Sequence, residues 1–236
     1  MKNLRPYILL LFAVMAAVSA SAQKKKLQNR PYIDQRPYHY GILVGTHMQD
    51  LELRNNGYIT PDGRQWVGDV DSYNIGFSVG LVGEMRLSNH LSVRTTPSMH
   101  FGDKRVVFRE VSTGEKYRQT VKSTYVSVPV DVKFAAERFN NYRPYVMAGV
   151  NPMYDLTSKR RQALRMNRFD CFVEVGMGCD FYMPFFKFIP EIKFCYGLTN
   201  LINKDNTDLV DKTMINYRNS LSGMQQKMVV LTFYFE

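Results

Sequence analysis

Alternation with a period of two runs through most of this chain, and it constrains the fold more than any other feature. From residue 73 to 87 the odd positions carry Tyr73, Ile75, Phe77, Val79, Leu81, Met85 and Leu87, while Asn74, Ser78, Glu84 and Arg86 stand at even ones. Between residues 120 and 134 the even set is mainly Val126, Val128, Val130, Val132 and Phe134, against Ser123, Ser127, Asp131 and Lys133. Phe169, Cys171, Val173, Val175, Met177, Cys179 and Phe181 oppose Asp170, Glu174 and Asp180. Phe186, Phe188, Ile192, Phe194, Tyr196 and Leu198 oppose Lys187, Glu191 and Lys193. Successive side chains on a strand point to opposite faces, so each segment predicts a strand with one apolar and one charged face. Weaker patterns over 38–53, 91–101 (running on towards Phe108), 143–156 and 224–235 bring the expected strands to eight.

The connections alternate in length. Short links fall at 88–90, 138–142 and 183–185, and long polar ones at 54–72, 110–118, 158–167 and 200–223. Short turns at one end and long loops at the other are the pattern of bacterial outer-membrane barrels. An even strand count with a short link second places both termini on the short-turn, periplasmic side. The aromatic content, 15 Tyr and 15 Phe against one Trp, suits strands better than helices.

The destination of the charges separates a membrane barrel from a soluble sandwich. The polar faces carry Glu84, Arg86, Arg94, Asp131, Lys133, Asp170, Glu174, Asp180, Lys187, Glu191 and Lys193, nearly balanced in sign. An eight-stranded barrel has an interior that side chains just fill, and balanced charge suits such a lumen because an unpaired buried ion costs several kcal/mol. The opposite face is a continuous apolar belt, for which lipid is the right solvent. The expected fold is an all-β, eight-stranded antiparallel transmembrane barrel with a plugged polar lumen. A soluble sandwich with its charged face in water is the competing reading. Pro97, Pro129, Pro152 and Pro190 fit a closed barrel least well, since proline cannot donate to a ladder.

Residues 1–22 read as a secretory signal: Lys2 and Arg5, an apolar run over 8–18, then Ala20-Ser21-Ala22. Residues 23–37, with Lys24, Lys25 and Lys26 and two Arg-Pro pairs, read as a flexible basic periplasmic lead-in to a barrel domain over 38–236. Lys24–Lys26 and the loop cations Lys159, Arg160, Arg161, Arg165 and Arg168 are candidate contacts for a partner or for lipopolysaccharide phosphates, or simply solvated charge. The three cysteines form no disulfide framework. Cys171 and Cys179, for instance, stand roughly 26 Å apart on one strand at about 3.3 Å per residue.

Recognisable catalytic chemistry is absent. His39, His47, His90 and His100 have no metal-ligand spacing. Ser98 and His100 share a face with Arg94, yet no signature marks a triad. The glycines of 76–83 lie inside a strand rather than at a phosphate-binding turn. No cofactor, no metal and no nucleic-acid partner is expected.

Several stretches resemble the PorT family of the Bacteroidetes: residues 37–45 (PYHYGILVG), 123–129 (STYVSVP), 141–145 (NYRPY) and, the longest, 180–194 (DFYMPFFKFIPEIKF). The similarity extends through nearly the whole of residues 23–236. It implies an outer-membrane barrel required by the type IX secretion system, which exports proteins bearing a C-terminal signal. The partners it implies are other components of that system, in addition to outer-membrane lipid and lipopolysaccharide, and it carries no catalytic residue. The alternatives are a general small barrel of structural or adhesin kind and, more distantly, a lipid-modifying enzyme.

Overall fold

The computed structural model describes residues 28–60, 62–72, 74–157, 167–202 and 220–236. The segments at 1–22, 24–26, 159–161, 165 and most of 200–223 lie outside the described residues. Among the described residues eleven strands follow one another: β1 (Tyr38–Asn55), β2 (Trp66–Ser72), β3 (Ile75–Arg86), β4 (Leu91–Thr95), β5 (Ser98–Glu110), β6 (Lys116–Ser127), β7 (Val130–Ala135), β8 (Tyr142–Asp155), β9 (Phe169–Tyr182), β10 (Lys187–Gly197) and β11 (Leu221–Phe235). They form one sheet in the order β2-β5-β6-β8-β7-β4-β3-β1-β11-β10-β9, with further pairings β5–β3 and β8–β9. All pairings are antiparallel. Followed from β1 through β3, β4, β7, β8, β9, β10 and β11, they lead back to β1.

Two prolines account for most of the difference between eight expected strands and eleven. β4 and β5 are separated only by Thr96 and Pro97, and β6 and β7 only by Val128 and Pro129. Across the first break β3 meets Thr95 with Gly83 and Ser98 with Gly80. Across the second, β8 meets Ser127 with Met153 and Val130 with Val150. Neither break shifts the register. The two interruptions face each other, because β4 pairs with β7 and β5 with β6, so the missing proline donors are gathered in one place. Pro97 and Pro152 keep their acceptors in use, taking hydrogen bonds from Leu81 (3.0 Å) and Val128 (3.2 Å).

Burial follows parity. Ile42, Val79, Val132, Val146, Val175 and Leu231 are exposed on the outward face, whereas the alternate residues of the same strands are buried. Three apolar clusters fill gaps inside. One, of Leu43, Val82, Ala135, Tyr145, Met147, Ile189 and Tyr234, lies towards the short links, and a second around Phe172 and Met228 lies beyond it. The third sits at the long-loop end, where Leu51, Trp66, Val106, Phe108, Leu201, Ile202, Leu221 and Met224 pack together.

The sequence expectation is corrected at three places. The connection 54–72 is not all loop: β2 occupies Trp66–Ser72 and pairs with β5. The 110–118 connection is shorter than expected, with β5 running to Glu110 and β6 starting at Lys116. The described part of the lead-in is docked rather than free. A 3-10 turn at Ile33–Gln35 buries Ile33, and Asp34 accepts from Tyr182 Oη at 2.6 Å and pairs with Arg138 at 3.4 Å. Asn29 bonds Asn141 and the Tyr182 carbonyl. These residues cross the end of the sheet where the short links lie.

Candidate functional site

Alternate residues of the strands deliver charged side chains to the sheet interior, where they sort into layers. Nearest the short links, Arg94 of β4 forks onto Glu84 of β3 (Nη2 2.9 Å, Nε 3.0 Å) and reaches Glu191 of β10 at 2.7 Å. Ser92 donates to the other Glu84 oxygen at 2.7 Å. Tyr234 donates to Glu191 at 2.6 Å, and Tyr145 donates to it as well. Lys133 pairs with Asp180 at 3.0 Å, and Lys187 bridges Asp180 (3.4 Å) and Glu236 (2.8 Å). The rings of Tyr145 and Tyr234 lie 5.1 Å and 5.0 Å from the Arg94 guanidinium carbon. The side chains of all these ions are buried, and the charge-assisted hydrogen bonds among them offset a desolvation cost that would otherwise be prohibitive.

Lys193 of β10 links this layer to the next. It lies 3.9 Å from Glu191 and 3.1 Å from Glu174 of β9, which also accepts from Asn151 at 2.9 Å. Asp131 is fully buried, and neither of its oxygens has a hydrogen-bond partner among the described residues. Gly149 makes space for it, because a side chain there would collide with the Asp131 carboxylate.

Farther along is a cluster of hydroxyl and imidazole groups. Ser78 lies 2.8 Å from His47 Nδ1 and 2.7 Å from His100 Nδ1, and His100 Nε2 lies 3.0 Å from Ser127 and 3.1 Å from Ser98. No carboxylate hydrogen-bonds either imidazole among the described residues, so the Ser98–His100 pair has no acid to orient it as a triad requires. No group of three metal-ligating side chains occurs among the described residues. Lys104 donates to Tyr125 at 2.9 Å in the last polar layer, beneath the Trp66–Phe108 apolar cluster.

Ten of the eleven charges expected inside are buried: Glu84, Arg94, Asp131, Lys133, Asp170, Glu174, Asp180, Lys187, Glu191 and Lys193. Eight of them are joined by the contacts above. Asp131 is buried without a bond, and Asp170 stands apart, bonded to Thr199 and to the Cys171 amide. Arg86 is the correction. It has the inward parity but sits at the end of β3, where it bonds the Ser88 carbonyl and Asn89 instead of entering the network. Sequence reasoning missed Lys104, Tyr145, Tyr234 and Glu236. Tyr145 and Tyr234 were readable only as apolar residues of their rows, since parity does not say that a phenol will reach a carboxylate. Cys171, Cys179 and Cys195 are free thiols.

The outward face changes character at the long-loop end. Beyond Met48 and Val229, Lys227 donates to Glu52 at 2.6 Å, and this ammonium holds the Glu52 carboxyl below its usual range.

Residues 21–203 match the family model described as an outer membrane protein beta-barrel domain. No curated protein matches the chain. Among solved structures it is similar to Neisserial surface protein A, at 10% identity over 84% of this chain and 98% of that one, with a TM-score of 0.43. It is also similar to Ail of Yersinia pestis (14% identity, 85% and 98% covered, TM-score 0.38). A third similar structure is OprG of Pseudomonas aeruginosa (11% identity, 83% and 92% covered, TM-score 0.38).

Proposed function

The chain belongs to the outer membrane protein β-barrel domain family, and from that premise we propose that it is a closed, plugged eight-stranded barrel serving type IX protein secretion as an accessory or assembly component. In this reading β4–β5 and β6–β7 are two strands, each interrupted at a proline, and β2 is an addition to the loop end. Support comes from the circuit of pairings back to β1 and from the unchanged register across both breaks. A spanning strand needs about 9–11 tilted residues. β1 with 18, β11 with 15, and β8 and β9 with 14 each are long enough to cross and continue past the membrane. Residues 28–37 and the end of β11 lie at the short-link end, which this reading makes the periplasmic one.

The observation that carries the functional reading is the filled interior. An ion-paired core that is covered at one end by residues 28–37 and at the other by the Trp66 cluster leaves no route for a polypeptide. The barrel therefore acts through its surfaces, and the secretion pathway itself rests on the PorT-like stretches of the sequence. No catalytic role is assigned to it.

The test is deletion of the gene followed by fractionation of cargo. Export substrates should accumulate in the periplasm with their C-terminal signals uncleaved, while the outer membrane stays intact. Normal delivery of mature cargo to the cell surface would overturn the secretion reading and leave a small outer-membrane barrel of structural or adhesin kind.

A further inference from the structure

Above the apolar belt, the β5–β6 hairpin presents a face on which five cations outnumber the carboxylates. The outward row of β5 runs Met99, Phe101, Asp103, Arg105, Val107, Arg109, and that of β6 runs Val126, Thr124, Lys122, Thr120, Arg118, Lys116. The ladder sets Arg109 opposite Lys116, Val107 opposite Arg118, and Arg105 opposite Thr120. Residues two apart on a strand are about 7 Å apart and neighbouring strands about 5 Å, so these five cations form a stripe two strands wide and about 20 Å long, with Arg105 and Lys122 at its membrane end. Arg105, Arg109, Lys116 and Lys122 are exposed and have no acidic partner among the described residues. Two carboxylates share this outward face, Asp103 opposite Lys122 and the exposed Asp69 opposite Val107, and neither forms an ion pair with these four cations among the described residues. Asp103 is bonded by Asn74 at 2.6 Å, Glu115 pairs with Arg64, Glu110 is buried, and Asp69 bonds its own neighbour's amide at 2.8 Å.

We propose that this face binds the phosphate groups of an outer-leaflet glycolipid headgroup. Position selects that occupant among anions. On the same two strands the outward surface passes without a break from Met99 and Val126, through Phe101 stacked on Phe77 at 4.8 Å, to the cations. Aromatic rings mark the edge of the hydrocarbon layer. Arg105 stands four residues beyond Phe101, about 13 Å of tilted strand, and the polar interfacial layer is roughly 5–8 Å deep. Long cationic side chains reaching back from there meet headgroups while the barrel wall meets their acyl chains. Arginine forks suit phosphate oxygens bidentately.

The proposal rests on the barrel reading above and its orientation. Full-length protein folded in zwitterionic detergent micelles would be titrated with bisphosphoryl lipid A, with fully dephosphorylated lipid A, and with inorganic phosphate, with lipid binding read by native mass spectrometry. Wild type should bind the bisphosphoryl lipid best and lose it as salt rises. Arg105→Gln/Arg109→Gln/Lys116→Gln/Lys122→Gln should weaken that binding by about tenfold or more, whereas Arg105→Lys/Arg109→Lys, which keeps the charge and loses the forks, should weaken it less. Heat-modifiable gel migration checks folding of each variant, and a wild type without it would sink the barrel reading instead. Equal binding of both lipids by folded wild type, an unchanged affinity in the folded quadruple Gln variant, or equal competition by inorganic phosphate would overturn the proposal. Retention on a heparin matrix with no lipid A binding would do the same, in favour of a sulfated polysaccharide.

Discussion

Asp131 has a different standing from the other interior carboxylates. Glu84, Asp180, Glu191 and Glu174 each meet a lysine or arginine within 3.4 Å, whereas Asp131 meets no donor. Burial of a carboxyl without a partner is costly in either protonation state, and an amide of the same shape has no ionisable group to desolvate. Asp131→Asn should therefore raise resistance to unfolding by about 1–3 kcal/mol, read from the urea midpoint of the folded protein. Arg94→Ala should lower it by about 3–5 kcal/mol, because the buried Glu84 and Glu191 lose their nearest cation and keep only Lys133 at 3.4 Å and Lys193 at 3.9 Å. Equal effects of the same sign would mean that the network contributes nothing specific. At this scale parity was legible and depth was not. Glu84 and Arg86 share a face in the sequence, but only Glu84 is deep enough to be enclosed, and nothing local distinguishes a residue two positions nearer the strand end.

At the scale of elements, the segment 28–37 behaves as a clamp. It holds the end of β9 through Asp34 and Tyr182, the β7–β8 link through Arg138 and Asn141, and the chain end through Arg30 and the Glu236 carbonyl. Arg138 also lies over the Tyr182 ring at 3.6 Å. Charge-assisted hydrogen bonds of this kind contribute about 1.5–3 kcal/mol each. Asp34→Ala should then raise the population of the undocked segment by about tenfold. Chymotrypsin cleavage after Tyr32, which precedes Ile33, would report it in the folded protein, and an unchanged rate would show that the contact does not hold the segment. This clamp was illegible because its partners are more than 100 residues away in sequence and a short proline-flanked stretch carries no period. β2 escaped notice for a related reason: it lies on the loop extension, where Trp66 and Val70 pack on a local cluster and no lipid face enforces strict alternation. The main strands were readable because water-excluding surroundings on one side and an enclosed interior on the other impose opposite chemistries on successive residues.

At the scale of the whole molecule, the proposed barrel has three separate layers across its axis. Residues 28–37 cover the short-link end, the Arg94–Glu191–Lys133 network fills the middle, and the Trp66, Phe108 and Leu201 cluster covers the long-loop end. The cavity nearest the interior serines holds only about 10 Å³, at most the space of a single water molecule. Glycines tighten the packing further, since a side chain at Gly178 would strike the Tyr145 ring. Ions crossing such a barrel would have to displace paired charges in a low-dielectric interior. Reconstituted in planar bilayers, the protein should therefore show heat-modifiable, β-rich folding and no discrete conductance steps. Deleting residues 28–37 should not open it, because the other two layers remain. A stable current of porin size from the wild type would mean that the layers part in the membrane. That outcome would return a transport role to the lumen and remove the reason for placing function on the barrel's outer surfaces.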